Sequence, residues 1–169
     1  GCRSGLRSRW WGGRRCRCYR DGRAEPRKLR RDLWPAGQIA LMHRGRLIAG
    51  VSNAFMFNEL AYAAVGEGAW LNGASLKVSA ITSLEEATLS VGNITALAAS
   101  SSWSALGDLI DSINRFRGYG DFMHYHLLAA GKLDCVLETG LSILHMAGVA
   151  VIVREARGVF TDLSGKKHL

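Results

Sequence analysis

Apolar and polar positions change their period several times along this chain, and each change marks an element. From Gln38 to His43 and from Arg46 to Ser52 two apolar runs are separated by Arg44-Gly45, which predicts a β-hairpin. Glu59 to Val65, rich in Ala and Tyr, is a third strand. Gly66-Glu67-Gly68-Ala69-Trp70 then leads to Asn72-Gly73, a strong turn pair, and Leu76 to Ser79 reads as a brief extended piece. In Thr88 to Gly92, Leu89 and Val91 alternate with Thr88 and Ser90, which predicts another strand. Ser101 to Asn114 fits an amphipathic helix with Leu106, Leu109, Ile110 and Ile113 on one face. After Arg115-Phe116-Arg117-Gly118, a second helix is predicted from Phe122 to Ala130, with Asp121 placed to cap it.

The stretch from Lys132 to Asp162 is the most informative. Leu133 to Leu137 is a short apolar run between Gly131 and Gly140, which suits a buried strand. From Ile143 to Ala156, Ile143, Met146, Ala147, Ala150, Val151 and Val153 recur at helical spacing. Arg154 and Arg157 fall in the last turn, where cations suit the helix dipole, and Gly158 closes the helix. Val159 and Phe160 restart an extended run into Thr161 and Asp162, so the unit reads strand, loop, helix, strand. Glu138 and His145 then stand at the carboxyl edge of a strand and the amino end of a helix, where open α/β sheets place ligands. No run approaches the roughly 20 apolar residues of a membrane span.

Charge divides the chain unevenly. It carries 22 Lys and Arg against 14 Asp and Glu, a net charge of +8. Twelve of the basic residues and three of the acids lie before Ala36, so the remainder is near neutral, at −1. Residues 1–35 also hold Cys2, Cys16 and Cys18 and three of the five Trp, with no apolar periodicity. One reading of them is a basic arm that tracks a phosphate backbone and stacks on bases, making the chain a non-catalytic nucleic-acid-binding module. The preferred one is a disordered or non-native leader, of the kind an out-of-frame translation of a GC-rich gene produces. They contain no apolar core of a signal peptide. Cys16 and Cys18 have no second ligand pair at zinc spacing, and Cys135 alone lies in the patterned part, so a reducing cytoplasm is expected.

The register Glu138, Gly140, Leu144-His145, Met146-Ala147-Gly148 and Glu155-Ala156-Arg157-Gly158 resembles the C-terminal signature of the inositol monophosphatase family. That signature is a Glu, a Gly and a Trp-Asp pair ahead of an Ala-rich helix ending in Glu-Ala-Gly-Gly. Gly66, Gly68-Ala69 and Asn72-Gly73 match a second stretch of the family, and Arg117-Gly118-Tyr119-Gly120-Asp121-Phe122 is most similar to its bacterial histidinol-phosphatase branch. The family's Asp-Pro-x-Asp-Gly-Thr motif has only Asp21-Gly22 as a counterpart, and no ligand role is carried onto Asp21.

The resemblance covers about Gln38 to Leu169, the C-terminal portion of a member. It implies an α/β layered sandwich of alternating helices and sheets, incomplete because the N-terminal lobe is missing, with an exposed apolar face where that lobe would pack. It also implies metal-assisted hydrolysis of a phosphate monoester, of the histidinol-phosphate or inositol-phosphate type, with magnesium as the family's ion. Gly120 and Asp121 would then contact substrate, and Glu138 would reach a substrate hydroxyl or amine. His145 takes the place of a metal-binding Asp; imidazole suits zinc or manganese better than magnesium, and a capping or packed histidine is the competing reading. His124 and His126, two apart on one helix, do not share a face and read as structural. The partners expected are a small phosphorylated substrate in the intact parent and a second copy in a homodimer, with no membrane and no nucleic acid. With its metal-binding motifs missing or altered, the chain by itself is expected to be inactive.

Overall fold

The structure is a computed structural model and describes residues 36–167. The readings of residues 1–35, Asp21 included, lie outside the described residues.

Gly37–His43 (β1) and Arg46–Ala54 (β2) form the expected hairpin, turning through Arg44 and Gly45, both at positive φ. Glu59–Ala64 (β3), Gly68–Leu71 (β4) and the two-residue Ala74–Ser75 (β5) add in order, giving a five-stranded antiparallel sheet. Cross-strand pairing sets Ile39 opposite Val51, Val51 opposite Tyr62, and Tyr62 opposite Trp70, so these four share one face. Gly50, Ala61, Ala63 and Ala69 belong to the other.

Thr88–Val91 (β6), Arg115–Arg117 (β7) and Cys135–Leu137 (β8) make a second sheet, parallel, in the order β7-β6-β8. The helices are Ile94–Ala98 (α1), Trp103–Ser112 (α2), Asp121–Ala129 (α3) and Ile143–Glu155 (α4). Alternation along β6 decides what each face meets. Leu89 and Val91 pack with Leu97 of α1 and Leu106 of α2, while buried Ser90 points the other way, to His124 of α3. The layers are therefore the five-stranded sheet, α4 with α3, the three-stranded sheet, and α2, which is the layered α/β arrangement the resemblance implies.

Helix α4 lies between layers. Ala147, Val151, Ile152 and Ala156 pack on the large sheet, and Val149 and Val153 pack with Tyr125 of α3 and Val136 of β8. Every residue from Ala147 to Val153 is buried, so this is an all-round apolar helix and not the striped one that its spacing suggests. Where it crosses the sheet, Gly148 rests directly on Gly50. At its end Glu155 Oε2 accepts the N–H groups of Gly66 (3.1 Å) and Gly68 (3.2 Å), tying the β3–β4 turn to the helix.

Strand pairing ends at Ser75, after which Leu76 N–H donates to Ala69 O at 2.8 Å and Val78 N–H to Ala156 O at 3.0 Å. Two expectations about elements change. Among the described residues no strand follows Gly158, since Val159 stays exposed and Phe160 leaves the backbone direction to lie against Tyr125 and the Arg154 guanidinium. And Asp121 is the first helical residue of α3, not its cap: Gly120 holds the N-cap position, with no side-chain bond closing it. Among the described residues no helix is long and apolar enough to cross a membrane.

Candidate functional site

The carboxyl ends of β6 and β8 lie side by side, joined by Gly92 N–H donating to Leu137 O at 3.0 Å. The chain leaves β8 through Glu138, Thr139 and Gly140, and Asn93 Nδ2 steadies that exit by donating to Thr139 O at 3.0 Å. Glu138 folds back over Gly92 so closely that a Cβ there would collide with its carboxyl group, so a side chain at position 92 would displace that carboxyl group from its place. Nothing in the local sequence signals this pairing, because the two residues meet only once the parallel strands have aligned.

The environment of Glu138 is unusual for a carboxylate. Its side chain is 6% exposed, and Oε2 lies 3.3 Å from Nε2 of His124, which is wholly buried. Burial pushes the Glu138 carboxyl up to about 7; the Asp121 charge adds to the rise, and a hydrogen bond from the Thr139 backbone opposes it. Burial moves His124 down to about 4. Near pH 7 a half-ionised acid therefore faces a neutral imidazole, so the contact is not an ion pair. Tyr125 is driven above its ordinary range by burial and then by Glu138. On its outer side Glu138 lines a groove walled by Tyr125, Val136, Met146 and Phe160.

Behind His124 stands Ser90, also wholly buried. Its Oγ accepts the N–H of Tyr119 at 3.2 Å and lies 3.4 Å from His124 Nδ1. Tyr119 leads into Gly120 (φ 68) and Asp121 (φ 48), which start α3 in left-handed backbone; for Asp121 this is a costly conformation. The sequence-derived substrate residues Asp121 and Glu138 thus come within electrostatic reach of each other, and Gly120 adjoins them.

His145 stands elsewhere. It is exposed in the first turn of α4, with Nδ1 3.1 Å from Oγ of the N-cap residue Ser142 and its own N–H donating to Ser142 O at 3.0 Å, and no side-chain bond caps the helix there. Among the described residues no three of His, Cys, Asp and Glu converge as a possible ligand set. The described donors therefore do not fit a divalent ion, which needs several oxygens at one point.

His126, two residues beyond His124 on α3, belongs to a different chain of polar groups. Gln38 Nε2 donates to Ser52 Oγ (2.7 Å), Ser52 lies 2.7 Å from His126 Nε2, and His126 Nδ1 lies 2.8 Å from Glu59 Oε2. The order serine, imidazole, carboxylate is that of a hydrolytic triad. Yet Ser52 has no exposed surface and already receives the Gln38 donor, so no substrate reaches it. The chain acts as a polar bolt between β2, β3 and α3.

Comparison with known proteins bears on this geometry. A family model described as the inositol monophosphatase family matches residues 36–169. The histidinol-phosphatase of Mycobacterium tuberculosis is 35% identical over 138 residues, covering 79% of this chain and 53% of the relative. The fructose-1,6-bisphosphatase/inositol-1-monophosphatase of Thermotoga maritima is 31% identical over 134 residues, 76% of this chain and 49% of the relative. Among solved structures, the suhB protein of Bartonella henselae superposes with a TM-score of 0.66 at 30% identity, over 72% of this chain and 47% of that one. The chain thus spans about half the length of the curated relatives it matches.

Proposed function

Because the chain belongs to the inositol monophosphatase family, we propose that it carries the substrate-orienting part of a metal-dependent phosphate monoester hydrolase of the histidinol-phosphate type. The observation that carries this reading is Glu138, a nearly buried acid poised at the joined ends of two parallel strands beside the start of α3. The likeness of Arg117 to Phe122 to the histidinol-phosphatase branch supports the finer assignment.

Each residue then has a defined task. Free N–H groups at the start of α3 favour an anionic or hydroxylated group, which gives Gly120 and Asp121 their substrate contact. Glu138 accepts from a substrate hydroxyl or ammonium; an arriving cation favours its ionised form and drives off the proton it half-holds near pH 7. In the family's chemistry divalent ions, magnesium first, activate a water and stabilise the leaving oxygen. The described residues do not hold that ligand set, so we assign this chain no turnover of its own. A small phosphorylated substrate, a reducing cytoplasm and a homodimer complete the reading, and the nucleic-acid alternative rests on residues 1–35 alone.

Two measurements test it. Phosphate release from histidinol phosphate and inositol phosphate, with magnesium and then manganese, should be absent; metal-dependent turnover of about 1 per second or more would overturn the assignment of inactivity. Backbone NMR during titration with histidinol phosphate should move the Gly120 and Asp121 amides, and Glu138→Gln should abolish the shifts. Amides that stay in place at saturating ligand would remove the substrate-orienting role.

A further inference from the structure

Glu138 has neighbours whose arrangement the reaction alone does not explain. Ser90, on β6, and His124, on α3, are both wholly buried, and they continue inward from its carboxyl group in a line. We propose that Ser90 and His124 are a positioning pair for Glu138, in which Ser90 fixes the imidazole tautomer and His124 turns an Nε2–H toward the Glu138 carboxylate.

The donors can be assigned in order. Ser90 Oγ is used as an acceptor by the Tyr119 N–H, which leaves its own hydrogen to place. His124 Nδ1, at 3.4 Å, is the acceptor in reach. The imidazole hydrogen therefore sits on Nε2. That nitrogen is buried, makes no fully aligned hydrogen bond, and faces Glu138 Oε2 at 3.3 Å. A buried donor without an acceptor is costly, and the carboxylate is the group that relieves it. Sites without ligand commonly hold such contacts long and tighten them when substrate arrives.

A neutral donor does something here that a cation would not. Among the described residues, Asp121, Tyr125 and His124 of α3 interact with Glu138, with Asp134, Cys135, Arg157 and Asp162 farther along the same groove, and the Asp121 charge disfavours its ionised form. Histidine held neutral by burial supports the ionised carboxylate through one hydrogen bond while adding no charge that a cationic substrate group would have to oppose. It also explains why this step of α3 carries an imidazole: Ser90 and Glu138 lie on opposite sides of the ring, and few side chains reach both. The consequence for substrate rests on the reading of Glu138 above, but the positioning itself does not.

The test uses the chain without substrate. Carbon-13 NMR follows the Glu138 carboxyl through its titration in the wild type, His124→Gln, His124→Phe and Ser90→Ala. Removing the donor in His124→Phe should raise the midpoint by about one unit, the size of one hydrogen bond to a charge. His124→Gln, which keeps an N–H, should return it close to the wild-type value, and Ser90→Ala should give a smaller rise. In the wild type above the midpoint, nitrogen-15 correlations should report an unprotonated Nδ1. A midpoint in His124→Phe equal to that of the wild type overturns the proposal. So does a hydrogen on Nδ1 while Glu138 is ionised, a measurement that stands even if His124→Phe does not fold. Because no turnover or ligand enters, failure of the substrate reading leaves this result untouched, and the reverse also holds.

Discussion

Gly50 and Gly148 touch backbone to backbone where α4 crosses β2: a Cβ on Gly50 would sit on the Gly148 carbonyl, 2.9 Å from the Gly148 Cα. A Cβ on Gly148 would in turn lie 2.8 Å from Ile39 O and 3.1 Å from Val51 O, which are backbone atoms that cannot rotate away. Gly148→Ala should therefore lift α4 from the sheet and cost about 1–3 kcal/mol in urea unfolding. Gly107→Ala, on α2 with nothing within 4 Å of the added carbon, should gain about 0.5–1 kcal/mol. Equal midpoints for the two variants would mean the helix does not rest on the sheet this closely.

Helix α4 ends with Gly158 N–H bonded to Val153 O (2.8 Å) and Arg157 N–H to Arg154 O (2.9 Å), a Schellman closure. The left-handed residue of that closure, at φ 71, is Arg157, where Gly is the usual choice. Arg157→Gly should raise stability by about 1 kcal/mol, and Arg157→Ala, which keeps the Cβ, should leave it nearly unchanged. A loss in the glycine variant would show that the arginine side chain contributes more than its backbone costs.

Glu155 is one carboxylate serving two amides of a distant turn. Glu155→Ala should cost about 1–2 kcal/mol and speed amide hydrogen exchange at Gly66 and Gly68 ahead of the rest of β4. Exchange that is unchanged at those two amides would dismiss the anchor.

The Glu138–His124 pair has opposed effects on stability as pH changes. The folded state holds the Glu138 proton up to about pH 7 and the unfolded chain releases it near 4.5, so this group makes stability fall as pH rises from 4.5 to 7. His124 takes up its proton only near pH 4 when folded but near 6.5 when unfolded, so it makes stability rise as pH rises from 4 to 6.5. Each slope is at most about 1.4 kcal/mol per pH unit, and the two offset each other in the shared window. Glu138→Gln should unmask the rise and His124→Gln the fall, with denaturant midpoints across pH 4 to 7.5 as the readout. Parallel profiles for the two variants would contradict the burial of one partner.

At His145 the expected outcome separates stability from activity. His145→Asp places an anion in the first turn of α4, next to free N–H groups, and should add about 0.3–1 kcal/mol. It should not produce phosphate release with magnesium, because among the described residues no ligand set surrounds it. Turnover in this single variant would mean that ligands come from outside residues 36–167.

The parts of the fold that local pattern determines were legible from sequence. Arg44-Gly45 fixed the first hairpin, the Leu89 and Val91 alternation marked β6 as a strand, and the apolar run after Ile143 announced α4. What escaped were features made by non-local partners. Arg115-Phe116-Arg117 is too short and too charged to read as a strand, and it becomes one because it docks parallel to Thr88–Ser90. Val159-Phe160 has the composition of a strand but pairs with no strand among the described residues. The spacing of His124 and His126 correctly separates their faces, and gives no hint that one turns to Ser90 and Glu138 and the other to Ser52 and Glu59.

The face of the large sheet that carries Ile39, Tyr62 and Trp70 remains open among the described residues, with Ile39 67% exposed. Colloidal behaviour and folding stability are for that reason separate properties of this polypeptide. Tightening α4 or its cap raises the energy needed to unfold the chain but does not change what residues 36–167 leave open on that plane. Losses from solution would then be second order in concentration and insensitive to the unfolding midpoint, and a holdase chaperone meeting the native form would encounter the kind of surface it binds on folding intermediates.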